Sequence, residues 1–189
     1  MYGIIATWRM ALEGISKADS MLKNNESAAD SIEEAIKAVE DFEYYKSVGY
    51  GGLPNEEMEV ELDAAFMDGD TLEFGCVGGV KDFANPVSIA RSLMHYDANN
   101  FLIGQGAEKY ASRHGFERKT MLTDRAKIHY HNRTKEITNT ELKPYSGHDT
   151  VGMVCLDTAG HMTCATSTSG LFMKHPGRLG ESPVCGSGF

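Results

Sequence analysis

The spacing of hydrophobic residues along this chain shifts between the pattern of strands and the pattern of amphipathic helices. An apolar run at 2–7 predicts a buried strand, and residues 9–23 follow as a predicted helix. Ser27, with Asp30 three residues later, is typical of the start of a second helix. Along that second helix, apolar side chains recur on one stripe and charged side chains fall on the other face. The predicted stripe is Ile32, Ile36, Val39 and Phe42, and the predicted solvent-facing residues are Glu33, Glu34, Lys37 and Glu40.

The middle of the chain continues with strand and helix patterns in turn. Residues 59–67 and 71–77 predict a pair of strands around Asp68-Gly69-Asp70, which is a hairpin signal. Pro86 suits the first turn of a helix that is predicted to run to about residue 95. The remaining predictions here are a strand at 101–103, a helix at 107–113, and a surface helix within 123–140 that fades into a polar linker.

Near the end of the chain, two apolar runs predict a second strand pair. Residues 151–156 are apolar at the positions that face one side of a strand and also at those that face the other side. This pattern favours a central strand covered on both faces. Residues 162–168 form the next predicted strand, with a turn at 157–160 between the two. With a three-residue loop at 158–160, Thr150 lies opposite Thr168, at a Cβ separation of about 4.5–5.5 Å. A register shift of one residue would move Thr168 to the other face.

Composition narrows the classes of function that remain. The 189 residues suit a single domain, spanning 1–189, and the formal net charge of −9 argues against binding to nucleic acid. No signal-peptide pattern opens the sequence and no run approaches the roughly 18 apolar residues of a membrane span. We therefore expect a cytoplasmic protein without a membrane partner. The four cysteines form no CxxC pair, which favours reduced, structural thiols.

The residues with most chemical meaning are His148-Asp149-Thr150, at the entrance of the strand at 151–156. A threonine hydroxyl inside a chain is a poor nucleophile, but an N-terminal threonine carries its own base in its α-amine. That amine has a reference pKa of about 7.7–8, so much of it is neutral near neutral pH. We hypothesise that the chain cuts itself between Asp149 and Thr150, giving an α part at 1–149 and a β part from 150.

Five further stretches follow one another along the chain: Ile5-Ala6-Thr7-Trp8, a glycine-rich stretch at 47–56, a strand at 62–69, Thr166-Ser167-Thr168-Ser169-Gly170, and Gly177-Arg178-Leu179-Gly180-Glu181-Ser182-Pro183. Together they resemble one family, the glycosylasparaginases (aspartylglucosaminidases) of the N-terminal-nucleophile (Ntn) hydrolases. The fifth stretch departs from the family pattern GRVGDSP, because Glu181 replaces an aspartate. The resemblance implies an α+β fold, a four-layer αββα sandwich of the Ntn-hydrolase type. It also implies that this sandwich is incomplete here and truncated after Phe189.

The resemblance also implies roles for individual residues. Thr150 would be the nucleophile and Thr168 would orient its amine, as the third member of a triad orients its base. Asp149 and, more weakly, His148 would assist self-cleavage. In the substrate pocket, the family counterpart of Trp8 lines the wall, that of Arg178 binds the substrate α-carboxylate, and that of Glu181 binds the α-ammonium. Each residue also has a purely structural interpretation. Thr150 and Thr168 would then be ordinary strand threonines, 148–149 a polar loop before a strand, Trp8 a core tryptophan and Arg178 a surface arginine.

The implied reaction is hydrolysis of the side-chain amide of asparagine derivatives such as N4-(β-N-acetylglucosaminyl)-L-asparagine, through an aspartyl-threonine ester. No cofactor or metal ion is expected, and the expected partners are a small asparagine-derived substrate and a second processed αβ unit in a homodimer. One alternative is a plant-type L-asparaginase or isoaspartyl peptidase, which shares the fold and the nucleophile. The other is an inactive, truncated fragment that acts only as a folding or interaction unit, because an open sheet leaves unpaired edges.

Overall fold

The structure is a computed structural model that describes residues 1–136 and 150–189. Its centre is one mixed sheet of six strands in the order β1-β5-β6-β2-β3-β4, antiparallel except where β3 meets β4. The strands are β1 (Gly3–Ala6), β2 (Leu62–Asp68), β3 (Phe74–Val80), β4 (Phe101–Ile103), β5 (Val151–Leu156) and β6 (Met162–Thr168). The helices are α1 (Leu12–Lys23), α2 (Ala28–Glu40), α3 (Pro86–Leu93), α4 (Gly104–Arg113) and α5 (Asp124–Glu136).

The hydrophobic core lies between the helices and one face of the sheet. Val151, Met153 and Cys155 of β5 are buried in this core, together with apolar residues of α1, α2 and α3. On the opposite face of β5, Val154 is 44% exposed. The prediction that β5 is covered on both faces is therefore wrong for the described residues. One helix layer and one sheet layer of an αββα sandwich are present, in agreement with the predicted α+β class.

The predicted helices and strands are confirmed within the described residues, with shifts at their ends, and the predicted linker past residue 136 lies outside those residues. The first strand and the helices differ from the predicted bounds by up to three residues, and Arg9–Ala11 forms a short 3-10 helix before α1. The hairpin is shifted as well: β2 begins three residues later and ends one residue later than predicted, and β3 lies three residues later at both ends. Its turn is longer because Asp68 Oδ1 accepts hydrogen bonds from the amides of Asp70 and Thr71. Among the described helices, none is long and apolar enough to cross a membrane.

The bounds and register of β5 and β6 are those predicted. Val151 faces Ser167 and Leu156 faces Met162, and the Asp157 amide donates to the His161 carbonyl at 3.0 Å. Asp157 also anchors the turn, because its carboxylate accepts hydrogen bonds from backbone amides within the turn and from Ala28 at the start of α2. The last pair of the ladder is Val151 with Ser167, so the predicted pairing of Thr150 with Thr168 lies one position beyond it in the same register.

The predicted exposure of Glu40 is wrong. Its side chain is fully buried, whereas Phe42, predicted to be buried, lies past the end of α2 and is 39% exposed. The Glu40 carboxyl accepts hydrogen bonds from the Ser167 hydroxyl at 2.6 Å, the Val87 amide at 3.1 Å and the Asn85 side chain at 3.2 Å. Burial dominates over these donors and raises the pKa of Glu40 to about 8.

The predicted start of α2 is confirmed, because the Asp30 amide donates a hydrogen bond to the Ser27 hydroxyl.

Candidate active site

Thr150 lies at the entrance of β5, next to the end of β1. Its carbonyl accepts a hydrogen bond from the Thr7 hydroxyl at 2.8 Å, and that hydroxyl accepts one from the Gly152 amide at 2.8 Å. The Thr150 hydroxyl lies 2.9 Å from the Ser182 hydroxyl. The backbone of Thr150 is therefore held by β1, while its side chain points toward the loop that follows β6. His148 and Asp149, predicted to assist cleavage, lie outside the described residues.

A cleft of about 280 Å³ opens over Thr150 on the face of the sheet opposite the helices. Its walls include Thr150, Trp8, Glu181 and Ser182, of which the first three are predicted site residues. Arg178 and Thr168 do not line this cleft. The structure thus brings Thr150, Trp8 and Glu181 together, and the other two predicted residues lie outside the lining of the cleft.

Thr168 pairs with Asp63 of β2 on its other side, within the sheet. Its hydroxyl donates to the Ser47 carbonyl at 3.2 Å and accepts from the Gly170 amide at 3.0 Å. Thr168 forms no hydrogen bond with Thr150 in the part of the chain that the structure describes. The proposed role of Thr168 in orienting the amine of a cleaved Thr150 stays a prediction.

Ser182 is a site residue to which sequence reasoning assigned no role. It is buried, and the Thr166 hydroxyl of β6 donates to its carbonyl at 2.7 Å. This bond fixes the Ser182 hydroxyl beside that of Thr150. The only signal for it in the sequence is its position next to Glu181 in the Gly177–Pro183 motif.

Arg178 and Glu181 were predicted to form a clamp for a zwitterionic substrate. Arg178 is half-buried, and within the described residues its guanidinium makes no ion pair with Glu181 or any other carboxylate. Glu181 is exposed at the edge of the cleft. A half-buried guanidinium without an ionic partner is well suited to bind a carboxylate ligand bidentately.

Trp8 adopts a backbone conformation that is strained for any residue with a side chain. Its φ of 62° and ψ of 151° fall in a region that glycine occupies almost alone, and 58% of its surface is exposed. A core tryptophan would be buried, whereas Trp8 is exposed in the described part of the chain. Its role in lining a substrate pocket stays a prediction. Strain of this kind clusters at functional sites.

The strain at Trp8 leads to a stability prediction that separates backbone from ring. We expect Trp8→Gly to be more stable than Trp8→Ala by about 1–3 kcal/mol, because only glycine relaxes at this φ and ψ. In an unstrained segment the order is the reverse, with alanine ahead by roughly 0.5–1 kcal/mol. Urea unfolding of the two variants measures the difference, and equal stabilities would show that Trp8 is unstrained.

Residues 6–189 match the family model described as Asparaginase. The chain belongs to the asparaginase family. It is similar to an N(4)-(beta-N-acetylglucosaminyl)-L-asparaginase of Elizabethkingia miricola, with 34% identity across 98% of this chain and 54% of that protein. It is also similar to isoaspartyl peptidase/L-asparaginase of Rattus norvegicus, at 37% identity across 93% and 55%, and to isoaspartyl peptidase of Escherichia coli K12, at 34% across 92% and 57%.

The family resemblance predicted from the motifs is confirmed by these matches. This asparaginase-family chain spans about half the length of the curated relatives it matches. Relatives named as glycosylasparaginases and relatives named as isoaspartyl peptidases match it at similar identity. The family is therefore established, and the choice between these two activities has to come from the site.

Proposed function

We propose that Thr150 is the nucleophile of a self-processing amidohydrolase that cleaves the side-chain amide of asparagine derivatives. The observation that carries the proposal is the position of Thr150 at the start of β5, on the floor of a cleft with Trp8 and Glu181. Its hydroxyl contacts Ser182, and its carbonyl is held by Thr7. Family membership supports the same chemistry.

The proposed first stage releases the α-amine of Thr150. The Thr150 hydroxyl attacks the carbonyl carbon of Asp149, the peptide C–N bond breaks, and an ester forms in its place. The nitrogen keeps its own proton, takes up the one that the hydroxyl loses, and becomes the free amine of Thr150. Water then opens the ester, which leaves Asp149 as a new C-terminal carboxylate and restores the Thr150 hydroxyl. Ser182 is the described hydroxyl best placed to take part in proton movement at Thr150 Oγ1.

In the proposed second stage the freed amine serves as the general base. It takes the proton of the Thr150 hydroxyl, whose oxygen attacks the side-chain amide carbon of the substrate. The C–N bond breaks, the leaving amine departs with that proton, and an aspartyl-threonine ester remains. Water hydrolyses this ester and aspartate leaves. Arg178 would bind the α-carboxylate of the substrate and Glu181 its α-ammonium.

The second candidate is hydrolysis of asparagine or of β-aspartyl peptides by the same nucleophile. It is favoured by the 37% identity to the rat isoaspartyl peptidase/L-asparaginase. His148-Asp149 before the threonine and the Ile5-Ala6-Thr7-Trp8 context favour glycosylasparaginase. A panel of aspartylglucosamine, asparagine and a β-aspartyl dipeptide separates them, because only the first carries a sugar on the leaving nitrogen.

The proposed assembly is a homodimer of processed αβ units in the cytoplasm, acting on a small molecule. The net charge of −9 supports the absence of a nucleic-acid partner. The molar mass of the processed protein, measured by light scattering after size exclusion, tests the dimer.

The longer side chain at position 181 leads to a prediction about substrate preference. Glutamate extends one methylene further than aspartate, and a misplacement of about 1 Å can cost up to a hundredfold in rate. We expect Glu181→Asp to increase kcat/KM for aspartylglucosamine several-fold. Steady-state kinetics in the longest natural form of the protein measure this, with Glu181→Gln as the uncharged control. An unchanged kcat/KM in the aspartate variant would show that the extra methylene is accommodated.

The direct test of the proposed function is the intact mass of the purified protein with N-terminal sequencing of its fragments. Cleavage of the printed chain would give pieces of 149 and 40 residues, the second beginning at Thr150. A new N-terminus at Thr150 together with hydrolysis of any panel substrate supports the proposal. An uncut, inactive protein in its longest natural form contradicts it.

A further inference from the structure

The turn that carries Arg178 is held by a carboxylate next to β2. Glu61, immediately before β2, accepts a hydrogen bond from the Gly177 amide at 2.8 Å. A second acid, Asp63 within β2, accepts a hydrogen bond from the Gly79 amide of β3 at 2.8 Å. The glycine that precedes Arg178 therefore faces a carboxylate.

Both carboxylates are buried. Glu61 is 7% exposed and Asp63 is fully buried, and each has one oxygen with no hydrogen-bond partner among the described residues. Burial raises the pKa of Asp63, and Lys174 opposes that shift most strongly. Lys174 is 1% exposed, and its Nζ lies 3.7 Å from Glu61 Oε2 and 3.4 Å from the Glu61 carbonyl. It is the counter-charge of the pair.

Leu179 anchors the same turn from the other side. Its side chain occupies the space over Gly78 of β3, where an added Cβ would lie only 2.8 Å from it. The guanidinium of Arg178 lies against Gly180, 3.1 Å from the position of an added Cβ. The turn is therefore fixed at two points, by Glu61 and by Leu179, and the Arg178 side chain leaves it without an ionic partner in the described part of the chain.

Burying two acids and a lysine costs free energy, so stability alone does not explain why these residues hold a loop. Well-packed hydrophobic residues of similar volume often stabilise a protein as well as a buried ion pair or better. What the acids supply is a set of directed acceptors for backbone amides, and that of Glu61 sets the position of the turn. A displacement of about 1 Å at a substrate-binding group can change the rate a hundredfold.

We infer that Glu61 is a positioning residue that holds the 177–180 turn so that Arg178 faces a substrate carboxylate, with Lys174 as its counter-charge. This inference rests on the proposed function, because it takes the ligand of Arg178 to be the α-carboxylate of an amino-acid substrate. Glu61 acts on Arg178 through the backbone amide of the preceding Gly177.

The test compares two variants of equal length at position 61. Glu61→Met removes the acceptor for the Gly177 amide and still fills the space, whereas Glu61→Gln keeps an acceptor oxygen. Each is assayed on aspartylglucosamine and on its α-carboxamide analogue, in the longest natural form of the protein. We expect Glu61→Met to raise KM for the carboxylate substrate about tenfold, with a smaller change in kcat. Its preference for carboxylate over carboxamide should collapse, and Glu61→Gln should retain most of it.

The matched control is Glu59→Gln, two residues before Glu61, which alters a half-buried acid that pairs with Lys81. It should leave the preference unchanged. If the wild-type protein is active and Glu61→Met keeps its preference for the carboxylate, the inference is overturned.

A second measurement does not require activity. Amide hydrogen exchange at Gly177 should be slow in the wild type and in Glu61→Gln, and fast in Glu61→Met. Fast exchange in the wild type would overturn the inference even if Glu61→Met does not fold. A wild type that hydrolyses no substrate but protects Gly177 would contradict the proposed function and leave the positioning of the turn supported.

Discussion

Thr150→Ala is expected to remain a single uncut polypeptide with no amidase activity. Alanine has no hydroxyl to attack the preceding carbonyl, so neither the ester nor the free α-amine forms. Loss of a nucleophile typically removes several orders of magnitude in rate. Thr150→Ser keeps the hydroxyl and its contact with Ser182, so we expect it to be cut, more slowly than the wild type. Intact mass over a time course measures both.

A matched control for Thr150 lies in the same hairpin. Thr158 is an exposed threonine in the turn between β5 and β6, and Thr158→Ala should leave the cleavage rate unchanged. Ser182→Ala is the informative neighbour, because it removes the one described hydroxyl that contacts Thr150 Oγ1. Normal cleavage in Thr150→Ala would exclude Thr150 as the nucleophile.

Glu40→Gln is expected to change the way stability depends on pH. Burial raises the pKa of Glu40 to about 8, so between about pH 4.5 and 8 the folded state holds a proton that the unfolded state releases. The wild type therefore loses unfolding free energy as pH rises through this window. The neighbouring Asp41 adds to the upward shift. Glutamine does not ionise. Across this pH window the unfolding free energy of Glu40→Gln should therefore rise relative to that of the wild type by a few kcal/mol, an amount set by the size of the Glu40 pKa shift.

Urea unfolding of the two proteins from pH 5 to pH 9 measures this difference, and the other titrating groups cancel in it. The control is Glu34→Gln in the same helix. Lys17 and Lys37 lower the pKa of Glu34, so the stability that this carboxylate contributes is lost only as pH falls below its usual pKa of 4.5. The difference between Glu34→Gln and wild type should therefore stay constant from pH 5 to pH 9. A constant difference between Glu40→Gln and wild type across the range would show that Glu40 titrates normally.

Local signals determined much of the fold. The bounds of β4, β5 and β6 follow from short apolar runs, and the register of β5 against β6 follows from the length of one turn. The N-terminal cap of α2 could also be predicted, because its hydrogen bond joins Ser27 and Asp30, which are only three residues apart. The family and its motifs located Thr150, Trp8 and Glu181, which share the cleft.

What the sequence pattern missed depends on distant contacts. Glu40 reads as a solvent-facing helix residue, but its partners Ser167 and Val87 are 127 and 47 residues away along the chain. The contact of Ser182 with Thr150 spans 32 residues, and the clamp of Gly177 by Glu61 spans 116. Periodicity reports which face of an element is apolar. Periodicity does not show whether another element supplies hydrogen-bond donors that offset the cost of burying a carboxylate.

The turn between β5 and β6 has a consequence for how this region can change in evolution. Surface turns usually accept insertions and deletions, because a loop that lengthens costs little. Here Asp157 ties the turn to α2, and the number of residues in it decides which side of the sheet Thr168 occupies opposite Thr150. A single-residue insertion would turn every side chain of one strand to the opposite face of the sheet. Substitutions at 158 and 159 should therefore be common among homologues, while length changes should be rare, as should replacement of Gly160, whose φ is 96°.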